Sequence, residues 1–273
     1  MSLTTNDTTD IATLLPWLVE MGADEILLDD PLDRFAAPAP VVEAPPKPRA
    51  PQIAPKPKPA VNWKAVAAGV EGVAAAEALA ASIDSLEAYS EAVDGFDAHP
   101  LKRTANRMCS VSGAVNARVL IYVDRPRNAE DVTGDVLSGN HQVLADRMLH
   151  AIGLAGLTPH DSFEAVGMAS FIPWRPPGNR ALTELEAKMC VPLARRLLTL
   201  LAPKLILCLG HLPGQWLANG EDAIFRARGK WVEMGGIPAL TTFHPETLLQ
   251  SSASKRMAWH DLQAFRQKLD SLS

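Results

Sequence analysis

Side chains that are suited to chemistry or to ligand binding are concentrated in four short segments of the chain. One begins at Asp124, an arginine- and proline-rich one spans residues 174–180, a basic one spans residues 228–231, and His244-Pro245 begins the fourth. Carboxylate and imidazole groups can hold or transfer protons, and arginine and lysine can bind phosphate. Taken singly, the hexapeptide at residues 175–180 and the His-Pro pair are also typical of rigid structural turns.

The three cysteines form no recognisable metal or redox motif. Cys109, Cys190 and Cys208 are widely separated, and no two of them make a Cys-x-x-Cys pair. This spacing argues against a disulfide framework and against a zinc site. We therefore expect reduced cysteines with a structural role.

Short apolar runs predict the frame that positions the four segments. They lack clean alternation, as expected of strands buried on both faces of a parallel sheet. The predicted strands are Ala117–Val123, Glu164–Phe171, Lys204–Leu209 and Pro238–Phe243. Helices are predicted around 141–153, 183–202 and 212–219 and at Lys255–Leu269. Ligands bind beyond the carboxyl ends of the strands in such sheets, so the site is expected just after each predicted strand.

The chain before this sheet divides into three segments by composition. Residues 1–34 contain eight acidic side chains and one base, with apolar residues spaced as in a short amphipathic helix or two. They either dock, on a partner or on the main domain, or form a weakly ordered tail. Residues 35–61 are predicted to be a linker, because their many prolines favour extended polyproline II. Residues 62–98 predict a helical lead-in that stops at Asp94-Gly95.

The charge of the chain gives weak support to nucleic-acid binding. The net charge is −5, and outside residues 1–34 the 25 bases face 23 acids, which is far from the balance of a typical DNA-binding domain. No stretch approaches the roughly 20 apolar residues that span a bilayer, and the N-terminus lacks the features of a signal peptide. We expect a globular, cytoplasmic protein that does not associate with membranes.

Four segments in the same order resemble the iron–sulfur-type uracil-DNA glycosylases over roughly residues 96–269. They are Asp124-Arg125-Pro126 with Glu130-Asp131, the hexapeptide RPPGNR at 175–180, RG-x-W at 228–231, and HP-x-x-LL at 244–249. The resemblance implies a three-layer α/β/α sandwich, with a short parallel sheet of about four strands, within a glycosylase-like domain at residues 99–273. It also implies hydrolysis of the N-glycosidic bond of a uracil that is flipped out of DNA.

The resemblance assigns roles to individual residues. His244 corresponds to the histidine that stabilises the departing uracil, and Asp124 stands at the position of the family's glutamate, so both are expected to be catalytic. The expected base pocket consists of Leu137, Ser170 and Pro126. The expected DNA contacts are Arg175, Pro176, Pro177, Arg180, Arg228 and Lys230.

Several family positions carry other residues in this chain. Val123 and Arg127 replace the two glycines of the family's motif Gly-Glu-Ala-Pro-Gly, and a Cβ restricts close approach of the backbone. Leu137 replaces a phenylalanine that stacks on uracil, and Ser170 replaces an asparagine that reads its edge. Serine cannot make the same two-point contact, so intact selectivity for uracil is not expected.

The resemblance also predicts that the family's cofactor is absent. Its four cluster cysteines correspond here to Phe96, His99, Trp174 and Cys190, which leaves one thiolate. We therefore predict that no iron–sulfur cluster forms, that no other metal or cofactor is bound, and that a packed Trp174 replaces the cluster.

Three functions remain open at this stage. The first is a divergent glycosylase that acts through His244 and Asp124 on uracil or another damaged base. The second is a catalytically degenerate relative that binds DNA or a repair partner, with residues 1–34 as a docking peptide on a flexible tether. The third is a scaffold domain with neither activity nor DNA affinity. We expect a monomer, with DNA as a partner in the first two cases.

Overall fold

The structure, a computed structural model, describes residues 63–157, 163–221 and 223–272. The acidic segment 1–34 and the linker 35–61 lie outside the described residues, so what the sequence predicts for them stays a prediction.

Two helices precede the sheet in the region where the alanine-rich sequence predicts one or two. Helix α1 spans Trp63–Ser82 and α2 spans Leu86–Asp94. The hydroxyl of Ser85 accepts a hydrogen bond from the Ala88 N–H and so caps the first turn of α2. Helix α2 ends at the predicted Asp94-Gly95 stop.

Strands and helices alternate through the rest of the chain. The strands are β1 (Val111–Gly113), β2 (Val119–Val123), β3 (Gly167–Ser170), β4 (Leu205–Leu209), β5 (Trp231–Met234) and β6 (Ile237–Thr242). The helices are α3 (Asn128–Thr133), α4 (Gly139–His150), α5 (Glu184–Leu201), α6 (Leu212–Ala218), α7 (Ile224–Ala227), α8 (Pro245–Gln250) and α9 (Ser252–Asp270). None of the helices in these described ranges is long and apolar enough to cross a membrane.

The sheet has six strands rather than about four, in the order β1-β3-β2-β4-β6-β5. The four predicted strands are its parallel centre, β3-β2-β4-β6. The two strands that the sequence did not reveal, β1 and β5, pair antiparallel at the edges. They are short and mostly exposed or half-buried, so they lack the apolar runs that identify the central strands.

Helices cover both faces of the sheet, which confirms the three-layer α/β/α class. Successive residues of the buried strands point to opposite faces. Ile121 of β2 lies in one buried cluster with Leu149 of α4 and Phe265 of α9. Its neighbour Leu120 lies in another cluster with Leu197 of α5 and with residues of α1 and α2. The helical lead-in therefore packs into the same core as the sheet.

A buried ion pair fastens α9 to the segment between α7 and β5, and a hydrogen bond to the same carboxylate fastens it to the end of β6. The Arg228 guanidinium donates to both carboxylate oxygens of Asp261, and its Nε lies 3.1 Å from Oδ2. Thr242 Oγ1 donates to the same oxygen at 2.8 Å, and Arg228 also donates to the Met257 carbonyl at 2.9 Å. The Asp261 side chain is 2% exposed. Arg228, which the sequence assigns to DNA contacts, is therefore part of the packing of the domain.

We predict that Asp261→Ala lowers the free energy of unfolding by about 3 kcal/mol, because it leaves the Arg228 charge and the Thr242 hydroxyl without their acceptor in a largely buried place. Urea denaturation measures this change. Glu184→Gln is the matched control, because it removes a carboxylate from the exposed Lys188 pair and should leave stability nearly unchanged. Equal stabilities for the two variants would contradict the structural role of Asp261.

Candidate active site

A cavity of about 350 Å³ opens at the carboxyl ends of the central strands, where a ligand site is expected in a sheet of this kind. That volume lies in the range of small-molecule sites. Its polar lining includes Asp124, Arg125, Arg127, Thr183, His211, Gln215, His244 and Thr247. These residues come from loops far apart in sequence, and the parallel strands bring them together.

The register of the strands places the loops side by side. Val123 pairs with Leu209 of β4 on one side and with Ser170 of β3 on the other. Beyond the strand ends, the Asp124 N–H donates to the Leu209 carbonyl at 3.3 Å, and the Gly210 N–H donates to the Thr242 carbonyl at 2.9 Å. The residues that follow β2, β4 and β6 therefore meet at one edge.

Asp124 is a buried carboxyl group whose proton affinity is unusually high. It is 7% exposed, and its Oδ1 accepts the N–H of Leu212, the first residue of α6, at 2.9 Å. Burial raises the pKa of Asp124 to about 7, although the Leu212 N–H and the nearby Arg127 oppose that rise. A carboxyl group with such a pKa can take up or release a proton near neutrality.

Gly210 provides the space that Asp124 occupies. Its φ of 111° lies in the region that favours glycine, and a Cβ at this position would overlap the Asp124 carboxyl group. The sequence places Gly210 at the end of a strand but gives no reason for it. The reason is the close approach of the carboxyl group, which is visible only in three dimensions.

His244 is a buried, neutral imidazole in the same cavity. It is 5% exposed, and its Nδ1 accepts the N–H of Glu246 at 3.2 Å at the start of α8. Burial, followed by the positive charges of Arg127 and His141, lowers the pKa of His244 to about 3. The neutral ring therefore carries its proton on Nε2, because Nδ1 is an acceptor. His244 can thus donate a hydrogen bond to a ligand without being charged.

Two arginines tie the surrounding loops together. The Arg125 guanidinium donates to the carbonyls of Arg180 and, at 3.3 Å, Asn179 in the proline-rich loop. Arg127 Nε donates to a Glu246 carboxylate oxygen at 2.7 Å. Both arginines line the cavity, so its wall carries positive charge. In the sequence, Arg127 stood out only because it replaces a glycine of the family's motif. Nothing there indicated that it would bridge to Glu246.

The three residues expected to form the base pocket are buried, but they are not among the residues that line this cavity. Leu137 is 1% exposed and packs in the core cluster between the sheet, α4 and α9. Ser170 ends β3, and its hydroxyl donates to the Ile172 carbonyl at 2.7 Å. Pro126 is buried between the two cavity arginines. The described residues that line this cavity include none of the three, so their assignment to a base pocket stays a prediction.

The expected DNA-contacting bases have acidic partners within the chain. Arg175 Nε lies 2.9 Å from Asp131, and Lys230 Nζ lies 3.3 Å from Glu221. Arg180 makes a two-point contact with the Glu186 carboxylate at 2.6 and 2.9 Å. Beside Arg180, Pro176 is buried and Pro177 begins an exposed turn. Any phosphate contact by these bases has to compete with an existing ion pair, and their DNA role stays a prediction.

The four positions aligned with cluster cysteines hold side chains that do not fit an iron–sulfur cluster. Phe96 and Trp174 have no suitable donor atom, and both are buried in one core cluster with Cys190. The His99 ring stacks on Trp174 at 4.7 Å. Its Nδ1 accepts the Leu101 N–H, and its Nε2 lies 3.1 Å from the Glu186 carbonyl and 3.4 Å from Cys190 Sγ. Among the described residues, no three or more ligating side chains are arranged so that they could hold a metal.

We predict that the purified protein is colourless and contains no iron. We also predict that Trp174→Ala lowers the free energy of unfolding by about 3–5 kcal/mol, because it leaves a cavity beside His99. Trp174→Phe keeps an aromatic ring and should lose less. Iron analysis, visible absorbance and urea denaturation are the measurements. About four irons per chain with the absorbance of a cluster would contradict the prediction.

Comparison with known proteins agrees with the four motifs. The family model of the uracil DNA glycosylase superfamily matches residues 111–263. A type-4 uracil-DNA glycosylase of Thermotoga maritima is 25% identical over 182 residues, which cover 65% of this chain and 91% of that protein. One of Archaeoglobus fulgidus is 29% identical over 157 residues, 55% of this chain and 75% of that protein. A third, from Sulfurisphaera tokodaii, is 25% identical over 193 residues, which cover 68% of this chain and 85% of that protein. Because the family model spans more than half of the chain and includes every strand of the sheet, the chain belongs to the uracil DNA glycosylase superfamily.

Proposed function

We propose that this protein is a divergent DNA glycosylase, which hydrolyses the N-glycosidic bond of uracil or of another damaged base that is flipped out of DNA. The observation that carries the proposal is that Asp124, with its raised pKa, and neutral His244 line one cavity at the strand ends. The names of its relatives agree with this reaction class. Flipping is required because the bond is shielded in the base stack.

His244 acts on the departing base. When the N-glycosidic bond breaks, its electron pair leaves with the base, and negative charge develops on the base oxygens. The Nε2–H of neutral His244 donates to that charge, and Arg125 and Arg127 make the surrounding wall positive. A neutral donor suits this step, because its hydrogen bond strengthens as the charge appears.

Asp124 acts on the sugar side of the bond. In its ionised form it accepts a hydrogen bond from a water molecule and directs that water towards the anomeric carbon. The new C–O bond forms as the sugar becomes cation-like, and the proton of the water passes to Asp124. A pKa near 7 allows the same carboxyl group to be a base at neutral pH and to release the proton afterwards.

Gln215 brings a side-chain amide to the cavity, whereas Ser170, the residue expected to read the base, does not line it. The Ser170 hydroxyl is bonded to its own loop. A side-chain amide offers both a donor and an acceptor to the edge of a base. We propose that Gln215 contributes to base selection. We therefore expect the protein to prefer a different base from the one that the family's asparagine selects.

We propose that the four segments distinguished by composition have different functions. Residues 99–273 form the catalytic unit, residues 62–98 complete its core, residues 35–61 are a tether, and residues 1–34 dock on a protein partner. A degenerate protein that only binds DNA or a partner is the alternative. It is favoured by the internal ion pairs of Arg175, Arg180 and Lys230, and the assay below separates the two.

We predict that the protein releases the base from labelled oligonucleotides that contain uracil, hypoxanthine or xanthine, and that His244→Ala lowers the single-turnover rate about 100- to 1000-fold. Abasic sites cleaved by alkali report the release. His260→Ala, an exposed histidine on α9, is the control and should keep the parent rate. DNA binding without release on any substrate supports the degenerate alternative, and an unchanged rate in His244→Ala contradicts the mechanism.

The pKa of Asp124 predicts opposite effects on activity and stability. Its value rises from an ordinary 3.8 to about 7 on folding, so the unfolded chain loses this proton first as the pH rises. Stability therefore falls between about pH 4 and pH 7, on the order of 4 kcal/mol for three pKa units, while base release rises with a midpoint near 7. Asp124→Asn should abolish release and remove this fall in stability. Thermal unfolding of parent and variant at pH 5 and pH 8 provides the test.

A further inference from the structure

We infer that His141 is a positioning residue of the active site, and that it forms with Glu130 a charged pair that places a positive charge against the His244 ring. The inference rests on the proposed function only for its effect on base release, because its effect on His244 is measurable without catalysis. Neither His141 nor Glu130 is among the residues expected to act in the site.

Glu130 is the fixed acidic member of the pair. It lies in α3 and is 1% exposed. Its Oε2 accepts the Arg127 N–H at 3.0 Å, and its Oε1 accepts the Ser138 N–H at 3.1 Å and the Ser138 hydroxyl at 3.3 Å. Hydrogen bonds from His141 and from these donors outweigh burial and lower the pKa of Glu130 to about 2. The carboxylate is thus ionised throughout the neutral range.

His141 is the basic member of the pair and reaches from α4 to His244. Its Nδ1 lies 3.1 Å from Glu130 Oε1, and its side chain is 17% exposed. The hydrogen bond to Glu130 raises the pKa of His141 above its ordinary value, despite partial burial. On the other side, the His141 and His244 rings meet edge to face, with centroids 5.6 Å apart and planes at 73°. Below that raised pKa, a protonated His141 ring contacts the neutral ring of His244.

The contact adds to burial and to the charge of Arg127 in keeping His244 neutral. A proton on His244 would place a second positive charge against His141, close to Arg127 and Arg125, in a place that water scarcely reaches. The Glu130 carboxylate acts on His244 in the opposite direction, but it is His141 that contacts the His244 ring. His244 is thus kept as a donor, and positive charge stands behind the ring that meets the departing base.

The charge of His141 depends on pH in a definite direction. Glu130, Glu246, Arg127 and His244 are the charged or titratable groups that act on it or contact it. Because the pKa of His141 is raised on folding, the pair is fully formed below the ordinary value of 6.5 and is lost as the pH rises through the raised value. The positive charge behind His244 is lost over the same range.

The test compares the full-length protein with His141→Gln, which can still donate to Glu130 but cannot carry a charge. We expect the pKa of His244, measured by NMR of the imidazole nitrogens, to rise in the variant because a neighbouring cation is gone. Parent His141 should carry protons on both nitrogens at pH 6. His150→Gln, at the other end of the same helix, is the matched control and should leave the His244 titration unchanged.

Base release provides the second readout. In single turnover, His141→Gln should be about 10- to 100-fold slower than the parent at pH 7, should bind DNA with unchanged Kd, and should lose the decline at alkaline pH. The rise of base release with a midpoint near pH 7, which depends on Asp124, should remain in the variant. Glu130→Gln should lower the pKa of His141 and move the alkaline decline to lower pH.

The outcomes separate this inference from the proposed function. A neutral His141 at pH 6 in the parent, or the same His244 titration in parent and His141→Gln, overturns the inference even if the protein is an active glycosylase. If His244 responds as expected but no base is released on any substrate, the inference stands and the glycosylase function fails. Should parent and variant release base with the same pH profile, the role of His141 in the reaction is overturned.

Discussion

The burial of the Asp124 carboxyl group between the ends of two parallel strands is the constraint on which the rest of the site depends. The group fits only because Gly210 has no side chain, and the first N–H of α6 partly offsets the loss of water. Such burial makes ionisation costly, and positive groups nearby reduce that cost. Arg125 and Arg127 lie in the same loop and meet that need, while the same charges disfavour a proton on His244. One buried acid thus sets the electrostatic balance of the cavity.

The central fold could be predicted from sequence because burial on both faces leaves a direct record in apolar runs. The four parallel strands and the long helices match the predicted segments to within about three residues. The meeting of Asp124 and His244 in one cavity could be predicted from the same runs, because each residue comes shortly after one of them. The edge strands β1 and β5 escaped prediction, since only one neighbour holds each of them and their residues are partly exposed.

What the sequence could not predict is which charges meet. A linear pattern identified Arg175, Arg180 and Arg228 as bases, but it contained no sign that Asp131, Glu186 and Asp261 would neutralise them. Likewise the sequence contained no sign that Leu137 would pack in a core cluster or that the Ser170 hydroxyl would donate to the Ile172 carbonyl. Arg180 and Glu186 are only 6 positions apart, but the other partners are 44 and 33 positions apart and meet only in the completed fold.

The hydrogen bonds of Arg125 and Arg127 have a consequence for how the protein meets its ligand. They connect the loop after β2 with the proline-rich loop and with α8 in the free protein. A cavity whose walls are joined in this way is preorganised, so little conformational entropy has to be lost when a base enters. Under the proposed function, we expect selection by rigid exclusion when a base first meets the cavity, so that bases too large for the opening are rejected without any closing motion of the loops.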